Sequence, residues 1–194
     1  MQSKDSVLVN MTRAEGDMAD ERDQTRLECQ LREDAHRLVR ALRENFEAFR
    51  SARILYTATQ VGVRETRHIR GVHILTGQEY AAAFHFPDAV GRGAHPIDIH
   101  SSSGGGQKCE FLKEAAYIPY RSLIAEDFPN LLVPGRSFSA DREASASARV
   151  QASMMGLGQA AGFAAAQCAA SNRSVQAADA ELLRSTLLKI GSNI

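Results

Sequence analysis

A run of small residues in the last third of the chain constrains its fold more than any other feature. From residue 130 to residue 170 the sequence reads NLLVPGRSFSADREASASARVQASMMGLGQAAGFAAAQCAA. This pattern predicts a short buried strand, a Gly-Arg turn, a small-residue loop and then a long helix made mainly of alanine and glycine. Because such a helix carries few large side chains, another backbone or a flat ligand can approach it closely.

The amino end of this helix, at residues 148–151, is predicted to present unpaired backbone N–H groups and a partial positive charge. That combination suits a phosphate, or a ring that becomes anionic when it is reduced. Residues 154–170 are apolar apart from two glutamines, but alanine and glycine are weakly hydrophobic and the run is shorter than the about 20 residues of a membrane span. We therefore expect a buried helix of a soluble protein and no membrane partner.

Charge and cysteine content narrow the class of protein further. The 194 residues are 44% hydrophobic, and 23 basic residues balance 23 acidic ones. No overall field therefore favours nucleic acid as a partner. The three cysteines are far apart, which is typical of reduced thiols inside the cell. The first residues, MQSKDSVLVN, contain no apolar run of signal-peptide length, so we expect a cytoplasmic location.

Hydrophobic periodicity predicts a mixed α/β (α+β) fold. Leucine and phenylalanine recur at helical spacing between residues 23 and 49, and Thr25 with Glu28 has the spacing of a capping box. A short helix capped by Thr76 should follow, and a final helix should run from residue 175 or 179 to residue 190. The strand candidates are residues 6–11, 52–75, 96–100, 117–124 and 131–133. The segment SSSGGGQK, residues 101–108, is predicted to be a loop.

Two short motifs have competing interpretations. Gly156, Gly158 and Ala161 fit a dinucleotide fingerprint, but no convincing strand precedes them, so close helix packing is favoured and a nicotinamide site stays an alternative. His95, Asp98 and His100 are candidate metal ligands, and Asp98 and His100 share one face of a predicted strand. No further histidine or cysteine stands at ligand spacing, which disfavours a zinc site.

Several separated segments occur in a recognisable order: VNMTRAEG (9–16), QVGVRETRHIRGVHILT (60–76), GRGAHPIDIH (91–100), GGGQ (104–107), YIPYRSLI (117–124) and the small-residue run from residue 130. Together they resemble the C-terminal portion of the FAD-dependent oxidoreductase family, the relatives of glutathione-reductase-like and fumarate-reductase-like flavoproteins. The order of the segments is much more specific than any one of them.

The resemblance implies a domain organisation. Residues 1–128 would belong to a substrate-covering domain, and residues 129–194 would return to the FAD-binding domain as a strand and a helix. The glycine-loop half of that dinucleotide-binding (Rossmann) domain has no counterpart in this sequence. The resemblance therefore implies that an N-terminal FAD-binding half completes the flavin site. Either this sequence is a truncated part of a longer reading frame, or a separate polypeptide or self-association supplies what is missing, and this chain alone is expected to be inactive.

The resemblance also implies roles for individual residues. Gly135 and Arg136 would lie beside the ribityl and pyrophosphate part of FAD. The backbone N–H groups of Arg149, Val150 and Gln151 would face the pyrimidine edge of the flavin. The candidates for the substrate side are His100, Arg64, Tyr120 and Arg121. His100 is a candidate acid or base, because an imidazole titrates near neutral pH.

The expected function is therefore transfer of a hydride or an electron pair between FAD and a small organic substrate. The alternative is a non-catalytic fragment or subunit that binds a partner chain through the alanine- and glycine-rich helix. Such a helix would leave apolar surface exposed and promote association.

Overall fold

The computed structural model describes residues 5–100 and 107–194. The chain consists of two compact units, residues 1–66 and residues 67–194. Helices and small antiparallel sheets alternate along it, which confirms the predicted mixed α/β class. The predicted domain boundary between residues 128 and 129 lies within the second unit and stays a prediction. Most of the predicted loop at residues 101–108 lies outside the described residues.

The first unit contains one long helix, α1, over Glu21–Asn45, and a 3₁₀ turn follows it at Glu47–Phe49. The helix begins earlier than the capping-box spacing predicts, because the Asp20 carboxylate accepts the backbone N–H groups of Arg22 and Asp23. The predicted cap at Thr25 is wrong, since the Thr25 hydroxyl donates to the Glu21 carbonyl within the helix.

Two of the predicted strand regions do not form strands. Residues 6–11 and most of residues 52–75 have irregular backbone, and the latter region contributes only single bridges, from Gly71 to Ala125 and from Leu75 to Ala140. Their β-branched composition favours extended backbone, but a strand also needs a partner ladder. The described residues supply none for residues 6–11.

The second unit holds two antiparallel pairs of strands. In one, β1 (Ala89–Gly93) pairs with β4 (Ala116–Pro119), with a register shift between Ala89 and Gly91. In the other, β2 (Ile97–His100) pairs with β3 (Gln107–Glu110). The predicted strand at residues 117–124 is wrong in its second half, because the chain turns after Pro119 into a 3₁₀ turn at Tyr120–Ser122. The predicted strand at residues 131–133 is reduced to one bridge between Leu132 and Ile124.

In the described part of the second unit, the α-helices are α2 (Gly77–Ala81), α3 (Arg142–Ala148), α4 (Gln151–Ser171) and α5 (Ala180–Lys189). Thr76 caps α2 through a capping box with Glu79, which confirms the predicted cap. Asp179 caps α5, and a 3₁₀ turn at Val175–Ala177 precedes it. The final helical region is therefore two elements where the sequence pattern predicts one.

Helix α4 packs directly on β1, and two glycines of β1 leave room for the side chains that cover it, Leu157 of α4 and Tyr80 of α2. A Cβ atom on Gly91 would come within 2.8 Å of Leu157 Cδ2, and one on Gly93 would overlap the hydroxyl of Tyr80. Both Leu157 and Tyr80 are fully buried. The hydrophobic core therefore lies between α4, β1 and the elements that pack around them. Its largest fully buried side chains include Tyr80, Phe138, Leu75, Ile118, Leu123, Leu157, Leu183 and Leu187.

Candidate functional site

The junction between α3 and α4 is the candidate cofactor-facing site. Val150 occupies the N-cap position of α4 with φ −66° and ψ 148°, and no side chain caps the helix. Within the described part of the chain, the backbone N–H groups of Val150 and Gln151 have no hydrogen-bond partner. Gln151 is exposed and Val150 is half-buried. The junction therefore combines available donors with the positive end of a helix dipole.

Arg149 differs from its two neighbours. Its backbone N–H donates to the Ser145 carbonyl at 3.2 Å, closing the last turn of α3. The main-chain donor that the resemblance assigns to Arg149 is therefore already engaged in the structure. Val150 and Gln151 retain theirs.

Two serine hydroxyls fix the position of this junction. Ser147, near the end of α3, donates to the His95 carbonyl. Ser153, in the first turn of α4, donates to the Arg92 carbonyl at 3.1 Å. These bonds tie one side of the junction to the connection between β1 and β2 and the other side to β1 itself. The sequence analysis missed both residues, although serines at buried positions of otherwise alanine-rich helices are a recognisable signal.

Gly135 and Arg136 lie in the turn before α3. Gly135 has φ +94°, which a side chain rarely tolerates, and no atom lies within 4 Å of the position that its Cβ would take. Arg136 is exposed, and its guanidinium has no hydrogen-bond partner among the described residues. An open backbone beside an available guanidinium fits a pyrophosphate, which arginine binds through paired hydrogen bonds.

The donor set therefore fits FAD chemically. The pyrophosphate of FAD carries negative charge, and the pyrimidine edge of its flavin accepts hydrogen bonds. Both parts therefore need cationic groups or N–H donors beside them. Arg136, Val150 and Gln151 supply such donors without losing existing partners.

Tyr120 and Arg121 lie elsewhere in the second unit. The Tyr120 hydroxyl donates to the Val175 carbonyl at 2.9 Å, and its ring is buried. Burial raises the pKa of Tyr120 far above its usual value, and the nearby Cys168 adds to the rise. The phenol therefore stays protonated at any physiological pH.

Arg121 is held by Asp88. Its Nε atom donates to Oδ2 at 2.9 Å and its Nη2 atom to Oδ1 at 3.3 Å, while the Arg121 backbone N–H donates to Oδ2 at 3.1 Å. Sequence reasoning did not find this ion pair, because the two residues are 33 positions apart.

The structure does not bring Tyr120 and Arg121 next to the α3–α4 junction. Tyr120 lies against Cys168 and Val175, at the carboxyl end of α4, whereas residues 149–151 stand at its amino end. At 1.5 Å per residue, the stretch of helix from Gln151 to Cys168 spans about 25 Å. The predicted substrate role of Tyr120 and Arg121 stays a prediction, and proximity to the junction does not support it.

The other two substrate-side candidates are placed differently. His100 is the last residue of β2, a strand that packs against α3, the helix that leads into the junction. Arg64 is an exposed residue of the first unit. The roles of both residues stay predictions.

The two glycines of the dinucleotide-like motif lie within α4. Gly156 and Gly158 follow helix instead of strand, so the structural context of a dinucleotide fingerprint is absent there. In the described ranges, no group of three or more histidine, cysteine or acidic side chains could hold a metal ion. In the same ranges, no helix is both long enough and apolar enough to cross a bilayer.

Comparison with known proteins defines the class. The model of the family described as FAD dependent oxidoreductase matches residues 1–187. No curated protein and no solved structure matches the chain. The family match defines the class of the protein as a flavin-dependent oxidoreductase. The chain belongs to the FAD dependent oxidoreductase family.

Proposed function

We propose that this chain forms the flavin-facing and substrate-covering part of an FAD-dependent oxidoreductase that moves a hydride or an electron pair between FAD and a small organic substrate. The observation that carries the proposal is the uncapped amino end of α4, where Val150 and Gln151 keep their N–H donors. The family match over residues 1–187 supports the same chemistry.

FAD, when bound, supplies the two-electron acceptor and donor. The chain's own contribution is electrostatic. The N–H groups of Val150 and Gln151, with the dipole of α4, would stabilise negative charge at the pyrimidine edge of the reduced flavin. Arg136 would hold the pyrophosphate. The ties from Ser147 and Ser153 keep these donors in place, so no reorganisation is needed when the charge develops.

On the substrate side, His100 is the proposed proton donor or acceptor, since an imidazole exchanges protons near neutral pH. Its strand packs on the helix that precedes the junction, which supports a location near the flavin. We propose Arg64 as a binding group for an anionic substrate.

The proposal requires a glycine-loop half of the FAD-binding domain, supplied either by a longer form of this chain or by a second polypeptide. The test is to co-express this chain with such a half from the same family, purify the complex and record its absorption spectrum. We expect flavin bands in the complex. A folded complex without bound flavin would contradict the proposal.

Gln151→Pro tests the helix terminus itself. Proline is well tolerated at the first position of a helix, and Val150 already has the extended backbone that proline requires of its predecessor. The substitution therefore removes one N–H group and leaves the helix intact. Losing a hydrogen bond to the anionic reduced flavin should lower the reduction potential by about 30 mV, equivalent to about 1.4 kcal/mol for two electrons.

The matched control is Gln151→Ala, which changes the side chain and keeps the N–H group. Its potential should equal that of the wild type. If both variants shift the potential equally, the backbone donor of Gln151 is not the group that contacts the flavin.

The exposed face of α4 supports a second candidate function, the binding of a partner chain. Met155 is 75% exposed and Phe163 is 37% exposed. Between them, Gly158 and Gly162 have open space around their backbones. A helix face of this kind lets another backbone approach closely and gains from being covered.

A further inference from the structure

A cleft lies on the second unit at the carboxyl end of α4, and neither the family match nor the flavin proposal assigns it a role. Its cavity volume is about 780 Å³, and its walls come from the segment before β1, the 3₁₀ turn at Tyr120–Ser122 and one side of α5. The cleft is more open than enclosed, and its volume is enough for a small molecule to lie along its surface.

The cleft is separate from the flavin-facing junction. Tyr120, which lines it, is bonded to Val175 beyond the end of α4, about 25 Å along the helix from Gln151. A ligand in the cleft could not react directly with a flavin at the junction, because hydride transfer needs the reacting atoms in contact.

Two guanidinium groups converge on the cleft. Arg121 is fixed by Asp88. The Nη1 atom of Arg184 donates to the carbonyl of Ala89, the residue that follows Asp88 in the chain. Both arginines line the cavity, and Arg121 is 45% exposed. Two neighbouring residues, Asp88 and Ala89, therefore anchor the two arginines that line the cleft.

Arg184 has no acidic partner. In the part of the chain that the structure describes, the Ala89 carbonyl is its one hydrogen-bond partner and no carboxylate forms an ion pair with it. Glu181 stands one turn earlier on α5 and lines the same cavity, yet it does not pair with Arg184. The remaining N–H donors of a half-buried guanidinium are thus available to a ligand.

The rest of the cleft is apolar. Ile124 is buried at its wall, and Leu188 on α5 is 55% exposed at its edge. Ala178 and Ala180 add small apolar side chains that leave the space open. A hydrocarbon chain placed here would cover Leu188 and gain the free energy of apolar burial.

We propose that this cleft binds a small organic monocarboxylate with an apolar body. The carboxylate pairs with Arg184 and the spare donors of Arg121, and the apolar body lies along Ile124 and Leu188. Asp88 and Glu181 also line the cleft, so a second negative charge on the ligand would meet repulsion. The pattern therefore favours a single anionic group over a phosphate or a dicarboxylate.

The probe is sodium octanoate, titrated into the full chain while methyl carbon–proton spectra are recorded. Octanoate should shift the methyl signals of Ile124 and Leu188 in a saturable manner and leave those of Leu8, an exposed residue of the first unit, in place. Octanol, which has the same chain without the charge, should bind more weakly. Octanedioate should also bind more weakly, because of the acidic residues.

Arg184→Gln should weaken octanoate binding by roughly tenfold or more, as expected for the loss of a charge-assisted pair. The matched control is Arg173→Gln, an exposed arginine outside the cleft whose side chain forms no hydrogen bond or ion pair among the described residues. It should bind like the wild type. If Arg184→Gln unfolds, Glu181→Gln provides the test, because removing its charge should tighten octanoate binding.

Three results would overturn the proposal. The first is no saturable shift at Ile124 or Leu188 with octanoate. The second is equal affinity for octanol and octanoate. The third is octanoate affinity that neither Arg184→Gln nor Glu181→Gln changes. None of these readouts depends on flavin, so the cleft can fail while the flavin proposal stands, and the reverse also holds.

Discussion

At the scale of single residues, Glu79 has the clearest electrostatic role in the second unit. One of its oxygens, Oε2, accepts hydrogen bonds from the backbone N–H and the hydroxyl of Thr76, both at 2.9 Å, and lies 3.2 Å from His73 Nε2. Partial burial pushes the pKa of Glu79 up, but the bonds from Thr76 and the charge of His73 together outweigh it. The pKa of Glu79 therefore lies below its usual value of 4.5.

This lowered pKa predicts how stability depends on pH. The ionised carboxylate stabilises the folded state above pH 4.5, and the contribution is lost as the pH falls through the lower folded-state pKa. Glu79→Gln keeps the capping geometry without the charge, so it should be less stable than the wild type at neutral pH and equal to it in acid. Urea denaturation between pH 3 and pH 7 measures the difference.

Glu79→Ala separates the effect of the charge from that of the cap, because it removes the capping hydrogen bonds as well as the charge. It should cost about 1 kcal/mol more than Glu79→Gln, at every pH. A constant difference between wild type and Glu79→Gln across the pH range would show that the charge contributes nothing.

At the scale of elements, the sequence predicts those parts whose signals are local. The Thr76 cap and the long helix α4 follow from the spacing of neighbouring residues, and the structure confirms both. The regions at residues 6–11 and 52–75 fail as strands because strand formation depends on a partner that local composition cannot reveal.

The same limit applies to the candidate site. The open amino end of α4 could be predicted, because alanine, glycine and the lack of a capping side chain are visible in the sequence. The serine ties to Arg92 and His95 join residues 61 and 52 positions apart. The Asp88 partner of Arg121 is 33 positions away along the chain. Only the fold shows that Tyr120 and Arg121 stand at the far end of α4.

The contact between β1 and α2 gives a prediction at this scale. Gly93→Ala places a methyl group onto the hydroxyl of fully buried Tyr80, so it should destabilise the protein by about 2 kcal/mol. Tyr80→Phe removes the overlapping oxygen, and the nearest remaining ring atom, Cζ, is 3.3 Å from the new methyl group. The double variant should therefore be about 1 kcal/mol more stable than the sum of the two single effects on the free energy of unfolding predicts. Thermal or urea denaturation of the four proteins measures this coupling.

Gly91→Ala is the matched control on the same strand. Its new methyl group would meet Leu157 Cδ2, the end of a flexible side chain, at 2.8 Å. Its cost should be smaller and should not change in the Tyr80→Phe background. Additive effects of Gly93→Ala and Tyr80→Phe would show that the backbone moves to relieve the overlap.

At the scale of the whole molecule, apolar side chains remain exposed in both units. In the first unit, Leu8 is 76% exposed and Tyr56 is 78% exposed. In the second, the outer face of α4 presents Met155 and Phe163 among glycines and alanines. Apolar surface gathered on one helix face is typical of a chain that associates with another polypeptide. Both the flavin proposal and the partner-binding alternative allow this chain to associate with another polypeptide, so this apolar face is consistent with either.

Ala166→Lys tests this association. Ala166 is an exposed residue of α4, eight positions after Gly158, so a lysine there adds length and charge to the same small-residue face. We expect the wild-type chain to self-associate as its concentration rises, or to capture a co-expressed FAD-binding half. The Ala166→Lys variant should do neither. Ala41→Lys makes the same change at an exposed position of α1 and should leave association intact. Light scattering and co-purification measure the two outcomes. A wild-type chain that stays monomeric at every concentration and captures no partner would remove the support for α4 as a binding face.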